Sequence, residues 1–326
     1  MEQPRKWRFG VNRWFVLAFI VLSIFAARAF APVLPHIQLP AERIALNPLF
    51  VLPVIGEFYL TNTLFATLIA DVILLAIAFF TYRAVRSGNL VPKGIAGAIE
   101  ALLEALYNLT ESTAGKWTRS IFPFFATITL LVLIVNWMEL IPGVDSIGIL
   151  EESAEGHPVR EVLPGVSTIV SEGGEAEEGG YTLVPFVRVA STDLNFTVAL
   201  ALISIIMVQV FGVRALGIRY FTKFINVKTL FTRPVFGVID FGVGILELVS
   251  EFSRILSFSF RLFGNIFAGS VLLFVIGSLV PVFAQSGFLM LEFFVGVIQA
   301  LVFGLLTMVF MAQATQGHGE HEAEET

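Results

Sequence analysis

The sequence predicts an all-α, polytopic membrane protein with about six transmembrane helices, the last two forming a long, strongly tilted helical hairpin. Hydrophobic residues make up 56% of the 326 residues, and charged residues only 14%. Several apolar stretches reach about 20 residues, the length of helix that crosses a bilayer. Runs such as Phe65 to Phe80 are apolar on all sides, whereas strands of a membrane β-barrel alternate apolar and polar residues. These observations favour helices over a barrel.

Composition also excludes several kinds of chemistry. The chain has no cysteine, which excludes disulfides, thiolate metal sites and cysteine nucleophiles. None of the four histidines lies in an apolar stretch, so we expect no histidine to carry protons inside the membrane. The two in the terminal acidic run, His318 and His321, are more typical of solvated disorder than of a metal site. There is no Gly-rich phosphate loop and no nucleophile elbow, so we expect no cofactor and no catalytic site.

The first predicted span covers about Trp14 to Ala31. Four basic residues precede it, which places the N-terminus in the cytoplasm by the positive-inside rule. The sequence Ala-Ala-Arg-Ala-Phe-Ala at residues 26–31 resembles a signal-peptide processing site, but we expect the helix to be retained. Residues 1–61 are thus predicted to form an extra N-terminal helix and an outside segment.

Two further spans follow. The second, about Asn62 to Tyr82, returns the chain to a cytoplasmic loop that carries Arg83 and Arg86. Residues 94–113 repeat apolar side chains at helical spacing, which predicts an amphipathic helix lying in the membrane interface. The third span, about 122–140, leads through Pro142-Gly143 into an acidic segment, about 144–190. Because basic residues are scarce there, this segment is assigned to the outside.

The fourth span, about 194–213, returns to the cytoplasm at a basic cluster that begins with Arg214. A mostly apolar segment then runs from about Val238 to Val282. As one helix it would be about 66 Å long, roughly twice the ~30 Å hydrocarbon core, so it must be tilted, bent or broken. Pro281 and residues 285–287 mark its turn, and a last helix, about 288–314, leads to an acidic cytoplasmic tail at 315–326.

The long segment carries a polar stripe. Its members recur every three or four residues, which places them along one side of a helix. They are Glu247, Ser250, Glu251, Arg254, Ser257, Arg261 and Asn265. A guanidinium at mid-membrane depth cannot lose its proton and costs from ~2.5 to more than 10 kcal/mol. The stripe is therefore predicted to line water or to face a polar partner.

The last helix adds Glu292 and Gln299, which lie two turns apart. If the hairpin turns near Val282, Gln299 lies opposite Asn265, and Glu292 lies near Ser270. Polar groups then extend from Arg261 toward both membrane surfaces. This arrangement suggests two half-paths for protons that meet at a fixed cation, which repels protons and attracts an ionised carboxylate. No carboxylate of this chain is placed to be that mobile carrier, so we expect it on another subunit.

Several sequence blocks resemble the a subunits of F-type ATP synthases. They are Arg261-Leu-Phe-Gly-Asn265, Gln299, the segment that begins Thr192-Asp193-Leu-Asn195, and Asn136-Trp-Met-Glu-Leu-Ile-Pro-Gly143. The likeness covers about residues 62–314, predicted as the membrane domain. It implies that Arg261 faces the c-ring with Asn265 and Gln299 beside it, and that Glu247 and Ser250 lie on the cytoplasmic path. It also implies peripheral-stalk b subunits as partners and a bacterial-type inner membrane, with lipid around the chain and no nucleic acid.

The sequence departs from this pattern at two positions. Some members carry a glutamate where this chain has Ser270 and a histidine where it has Glu292. The carboxylate is thereby moved to the last helix, and we expect Glu292 to be the proton relay of the outer path.

Other polar residues allow two interpretations. Arg254 is either a second functional cation or, more simply, an ion-pair partner of Glu251. Asp193 and Asn195 stand at the outer mouth of the fourth span, where Thr192-Asp193 cap the helix or the two residues line a water path. Glu139 is similarly open. Asp71 is assigned a structural role.

Two rival functions remain for the chain as a whole. A secondary transporter would show internal repeats or matching broken helices, which the sequence lacks. A structural anchor would not need the stripe around Arg261.

Overall fold

The computed structural model describes residues 9–29, 40–45, 47–53, 56–86, 94–141, 143–153, 156–169, 180–224, 234–280 and 283–316. Helices dominate these residues, which confirms the predicted fold class. They are α1 (Phe9–Ala29), α2 (Asn62–Arg86), α3 (Ile95–Ala114), α4 (Thr118–Met138), α5 (Leu194–Leu216), α6 (Pro234–Leu279) and α7 (Phe283–Ala314).

Five stretches of the described chain are long and apolar enough to cross a membrane. They are Asn62–Arg83, Ala96–Met138, Leu194–Leu216, Phe241–Leu279 and Ala284–Ala314. The apolar part of α1 is shorter and covers Arg13–Phe25. The end of the predicted first span, at residues 30 and 31, lies outside the described residues. A sixth span therefore stays a prediction.

Short antiparallel strands occupy the connecting segments. The pairs are β1 (Phe50–Leu52) with β2 (Gly56–Phe58), β3 (Gly148–Ser153) with β6 (Gly180–Pro185), and β4 (Val159–Leu163) with β5 (Val166–Ile169). Much of the acidic segment therefore has regular structure that the sequence analysis did not predict. Between β4 and β5, Gly165 has a φ of +80°, which glycine adopts at little steric cost.

Local chemistry explains several helix ends. Asp193 precedes α5, and its side chain accepts a hydrogen bond from the Asn195 N–H at 2.9 Å, which satisfies one of the free donors at a helix start. The chain leaves α5 at Gly217 with a φ of +64°, and α3 at Gly115 with a φ of +50°. Both glycines provide the positive φ that commonly ends a helix.

The long helix α6 is continuous over 46 residues, or about 69 Å. The continuity of α6 excludes a broken helix, one of the alternatives that the length of the segment allowed. The inclination of α6 to the membrane stays a prediction. The position of the turn was partly wrong: Pro281 lies outside the described residues, and residues 285–287 belong to the first turns of α7. The Gln285 amide packs near Gly277 of α6, where an added Cβ would lie 3.1 Å from Nε2. That packing outweighs the turn preference of Gln-Ser-Gly.

The chain divides into two compact units, each with its own packing. The first comprises Met1–Phe65, Trp137–Arg188 and Ile266–Val295. Here the buried Asn62 side chain donates to Glu42 Oε2 at 3.1 Å, and the Trp137 ring stacks on Phe293 with centroids 4.9 Å apart. These contacts fix the entry to α2 and the exit from α4.

The second unit comprises Ala66–Asn136, Val189–Asn265 and Gly296–Thr326. Its apolar core joins α3, α4, α5 and α7 through Leu106, Ile121, Phe125, Phe211, Met308 and Met311. Gly304 of α7 lies against the Thr129 side chain of α4, where no Cβ would fit. The two units are defined by contacts between residues, and they do not test the predicted domain boundaries. The domains 1–61, 62–314 and 315–326 therefore stay predictions.

Candidate functional site

Arg261 lies on α6 at the border between a packed face and an open one. Phe258 and Leu262 beside it are buried, whereas Phe260 is 54% exposed. The Arg261 side chain is half-buried, and its Nη2 donates to Ser257 Oγ at 3.2 Å. No carboxylate among the described residues forms an ion pair with it. Among the described residues, the side-chain hydrogen-bond partner of this guanidinium is thus a neutral hydroxyl, which uses one of its five donors.

Two amides and a hydroxyl accompany this arginine, and we call Ser257, Arg261, Asn265 and Gln299 the arginine cluster. Ser257 and Asn265 are exposed on the open face of α6. The ring of Phe258 in α6 contacts both Phe303 and Phe310 of α7, with centroids 5.3 and 5.8 Å apart, so the two helices pack against each other close to Arg261.

Gln299 is half-buried in α7. Its predicted position, opposite Asn265, stays a prediction.

The polar stripe differs from the prediction, because its members do not all share one environment. Ser257 and Asn265 are exposed, and Glu247 and Ser250 are half-buried. Glu251 is only 7% exposed and belongs to the packed face. Its Oε1 lies 3.0 Å from Arg254 Nη1, which confirms the local ion pair.

A second polar group lies in the other compact unit, and we call Glu139, Ser270 and Glu292 the carboxylate cluster. The Ser270 hydroxyl donates a hydrogen bond to Glu139 Oε1. The Glu292 carboxylate lies directly against Gly269, the residue before Ser270, in space that a Cβ at position 269 would occupy. Glu292 is 9% exposed, and Glu139 is half-buried.

Sequence reasoning found only part of this cluster. The hairpin geometry brought Glu292 to the level of Ser270, and the structure places its carboxylate one residue away. Glu139 was noted beside Pro142-Gly143, but 131 residues separate it from Ser270. Helical spacing carries no information about such a contact.

Asn136 and Ser191 form a buried pair that the sequence analysis did not join. The Ser191 hydroxyl donates to Asn136 Oδ1 at 2.7 Å, and Asn136 Nδ2 donates to the Gly296 carbonyl at 3.3 Å. This network links the end of α4, the turn before α5 and the middle of α7. The block around Asn136 was singled out in the sequence, but the part of Ser191 was missed.

Asp193 and Asn195 stand at the start of α5. Asp193 is buried and caps the helix, as one of its two interpretations predicted, whereas Asn195 is exposed. The role of either residue on a water path stays a prediction. Asp71 is half-buried in α2, and its structural role also stays a prediction.

Asp145 lies in a short turn after α4, outside the candidate spans. Burial raises the pKa of its carboxyl to about 6, and the positive charge of Arg188 opposes that rise. This acid therefore titrates close to neutral pH. Within the described part of the chain, no three acidic or histidine residues are grouped as metal ligands.

Comparison with known proteins gives a consistent result. The family model described as ATP synthase A chain matches residues 64–312. The ATP synthase subunit a of Campylobacter jejuni is 30% identical over 241 residues, which cover 72% of this chain and 84% of that protein. The subunit a of Moorella thermoacetica is 26% identical over 264 residues, covering 81% and 95%. That of Mycobacterium bovis is 29% identical over 266 residues, covering 80% and 89%.

Proposed function

This chain belongs to the ATP synthase A chain family, and we propose that its arginine cluster is the fixed element past which a ring of proton-carrying carboxylates turns. The family membership makes the chain a proton-translocating subunit of an F-type ATP synthase and a multi-pass membrane protein. The proposal concerns how it couples proton flow to rotation.

The observation that carries the proposal is the state of Arg261. Its guanidinium is half-buried on a helix of membrane-spanning length, and no carboxylate of the described chain neutralises it. An unpaired charge at that depth is costly, so a counter-charge from another chain is required in the complex. The ring of c subunits would supply it, because each c subunit would present a carboxylate to the open face of α6.

The chemistry then follows from charge. An ionised ring carboxylate is attracted to Arg261 and stays deprotonated beside it. A protonated carboxyl is neutral and leaves toward lipid at little cost. The fixed cation also repels free protons, so protons would cross only on the ring. Asn265 and Gln299 would order water beside the arginine without adding charge.

Proton access on the outer side would use the carboxylate cluster. Glu292 and Glu139 would exchange protons with water, and the Ser270 hydroxyl already bonded to Glu139 would continue the path. Asp193 and Asn195 would stand near its mouth. On the cytoplasmic side, Glu247, Ser250 and Ser257 would form the second half-channel, with both termini of the chain in the cytoplasm.

The proposed partners are the c-ring, the peripheral-stalk b subunits and membrane lipid. ATP chemistry would belong to other subunits of the complex, and this chain would need no cofactor. A secondary transporter of the kind considered from the sequence would carry its own substrate site, which the family membership disfavours.

The test uses the complete ATP synthase in sealed vesicles. Arg261→Ala should abolish proton-driven ATP synthesis while complexes assemble in normal amounts, because a charge on an open face is lost and no core packing. Arg160→Ala, at an exposed arginine in β4, is the matched control and should synthesise ATP normally. Synthesis near the wild-type rate by assembled Arg261→Ala complexes would contradict the proposal.

A further inference from the structure

The ion pair between Glu251 and Arg254 lies outside the two half-paths described above. Glu251 is almost fully buried, and its Oε1 is 3.0 Å from Arg254 Nη1. Both belong to α6, one helical turn apart. The Arg254 side chain is half-buried. An ion pair withdrawn from solvent gains little stability over apolar residues of similar volume, so packing alone does not explain these residues.

A third group fixes the direction of the Arg254 side chain. Its Cζ lies 4.5 Å from the ring centroid of Phe310 in α7, within the distance of a cation–π contact. Phe310 in turn stacks on the buried ring of Phe258, with centroids 5.8 Å apart. The guanidinium is thus held between a carboxylate and an aromatic ring on the packed side of α6.

Arg254 also precedes Arg261 by two helical turns, which is about 10 Å along the helix axis. Ser257 lies between them and accepts a hydrogen bond from Arg261. An unneutralised cation at Arg254 would repel protons on this part of α6 and compete with Arg261 for an ionised carboxylate.

We propose that Glu251 is a positioning residue that neutralises Arg254 and holds it against Phe310, so that Arg261 and not Arg254 presents its charge to the ring carboxylates. This inference rests on the proposed function of Arg261. It assigns Glu251 an electrostatic role in proton flow, exerted through Arg254.

The experiment compares charge variants in the complete complex, with passive proton flux through the membrane sector measured per assembled complex. Glu251→Gln leaves Arg254 unneutralised, and flux should fall about tenfold, the effect of a unit charge at ~10 Å and an effective dielectric constant of ~20. The double variant Glu251→Gln with Arg254→Gln should recover most of the wild-type flux. Arg254→Gln alone should stay close to wild type, because it leaves no cation at position 254 to compete with Arg261.

If the role of the ion pair were purely structural, the variants would rank differently in proton flux. Every one of these variants breaks the pair, so all three would lose flux to a similar degree, and that result would overturn the inference. Glu251→Asp keeps the charge and is the matched control.

If Glu251→Gln complexes do not assemble, Arg254→Gln and the double variant carry the test, because neither has a cation at position 254. Both should conduct close to wild type, whereas a structural pair predicts that both lose flux.

Arg261→Ala in the same assay separates the two proposals. Retained ATP synthesis in that variant would remove the proposed function itself. Loss of synthesis in Arg261→Ala together with normal flux in Glu251→Gln would remove only the inference about Glu251.

Discussion

The Glu292 carboxylate of α7 lies directly against the backbone of Gly269 in α6, in the volume that any larger residue at position 269 would need. A glycine in the middle of a helix costs stability relative to alanine. Here it makes room for a carboxylate that would otherwise have to move, and under the proposed function that carboxylate exchanges protons on the outer path.

Gly269→Ala should therefore displace the Glu292 side chain. We expect a loss of roughly 1–3 kcal/mol in stability from overpacking and slower proton-driven ATP synthesis. Gly242→Ala, also in α6, is the matched control, because a Cβ there meets nothing within 4 Å. Combining Gly269→Ala with the shorter Glu292→Asp should restore part of the rate. Unchanged synthesis and thermal unfolding in Gly269→Ala would show that the carboxylate does not need this position.

Glu292→Gln should slow proton entry, because it removes a titratable group from the carboxylate cluster. Adding a carboxylate through Ser270→Glu should restore part of the flux, since what matters is a titratable group at that depth. Proton uptake by vesicles, followed from pH 6 to 9, measures both effects. If Glu292→Gln pumps normally over that range, the outer path runs elsewhere, for example past Asp193.

Arg261→Lys should not restore full ATP synthesis. An ammonium has the same charge but can lose its proton in a dry site, and it lacks the planar fork of the guanidinium. The defect should grow as the pH rises, because the lysine is then more readily neutralised. Rates equal to wild type from pH 6 to 9 would mean that only a positive charge is required.

Asp145 should make the segment that follows it sensitive to pH. The pKa of this carboxyl is raised from 3.8 to about 6 on folding, so the folded state binds a proton more tightly than the unfolded state. The stabilisation is present below about pH 4 and is lost as the pH rises through 6. The pKa difference sets an upper limit of about 3 kcal/mol, and solvent around the half-buried side chain reduces it.

Hydrogen exchange in β3 and β6 tests this pH dependence. At pH 7 the wild type should exchange faster than Asp145→Asn, which stays neutral, and near pH 4 the two should be alike. Comparing variants at one pH cancels the intrinsic pH dependence of exchange. Glu151→Gln, an exposed position in β3, should match the wild type at both values. Equal exchange of wild type and Asp145→Asn at pH 7 would show that the carboxyl does not affect the fold.

The axis of α6 should be strongly inclined to the membrane normal. A continuous helix of about 69 Å cannot stand upright in a ~30 Å core without placing apolar turns in water. An experimental structure of the assembled complex measures the angle and shows which face meets the ring. An upright α6, or an Arg261 that faces lipid, would contradict both the inclination and the half-path mechanism.

The sequence by itself determined the features that depend on local composition and spacing. The apolar stretches predicted the membrane class because length and hydrophobicity are properties of a segment alone. The spacing of Glu251 and Arg254 predicted their ion pair, since residues three apart are neighbours on any helix. Asp193 as a cap and α3 as a separate helix follow from similarly local signals. Arg261 was identified from the sequence because a guanidinium within an apolar segment cannot lose its proton.

Tertiary structure alone decided which of these residues meet. Glu139 and Ser270 are joined by a hydrogen bond across 131 residues, and no periodic pattern encodes a contact at that separation. The packing of α6 against α7 decided that Glu251 lies on the packed side. The position of Gln299 depends on the register of the same hairpin. Strands β3 and β6 of the acidic segment formed because two stretches distant in the sequence paired. Local propensity fixes each element, whereas their register is set by packing between elements far apart in the chain.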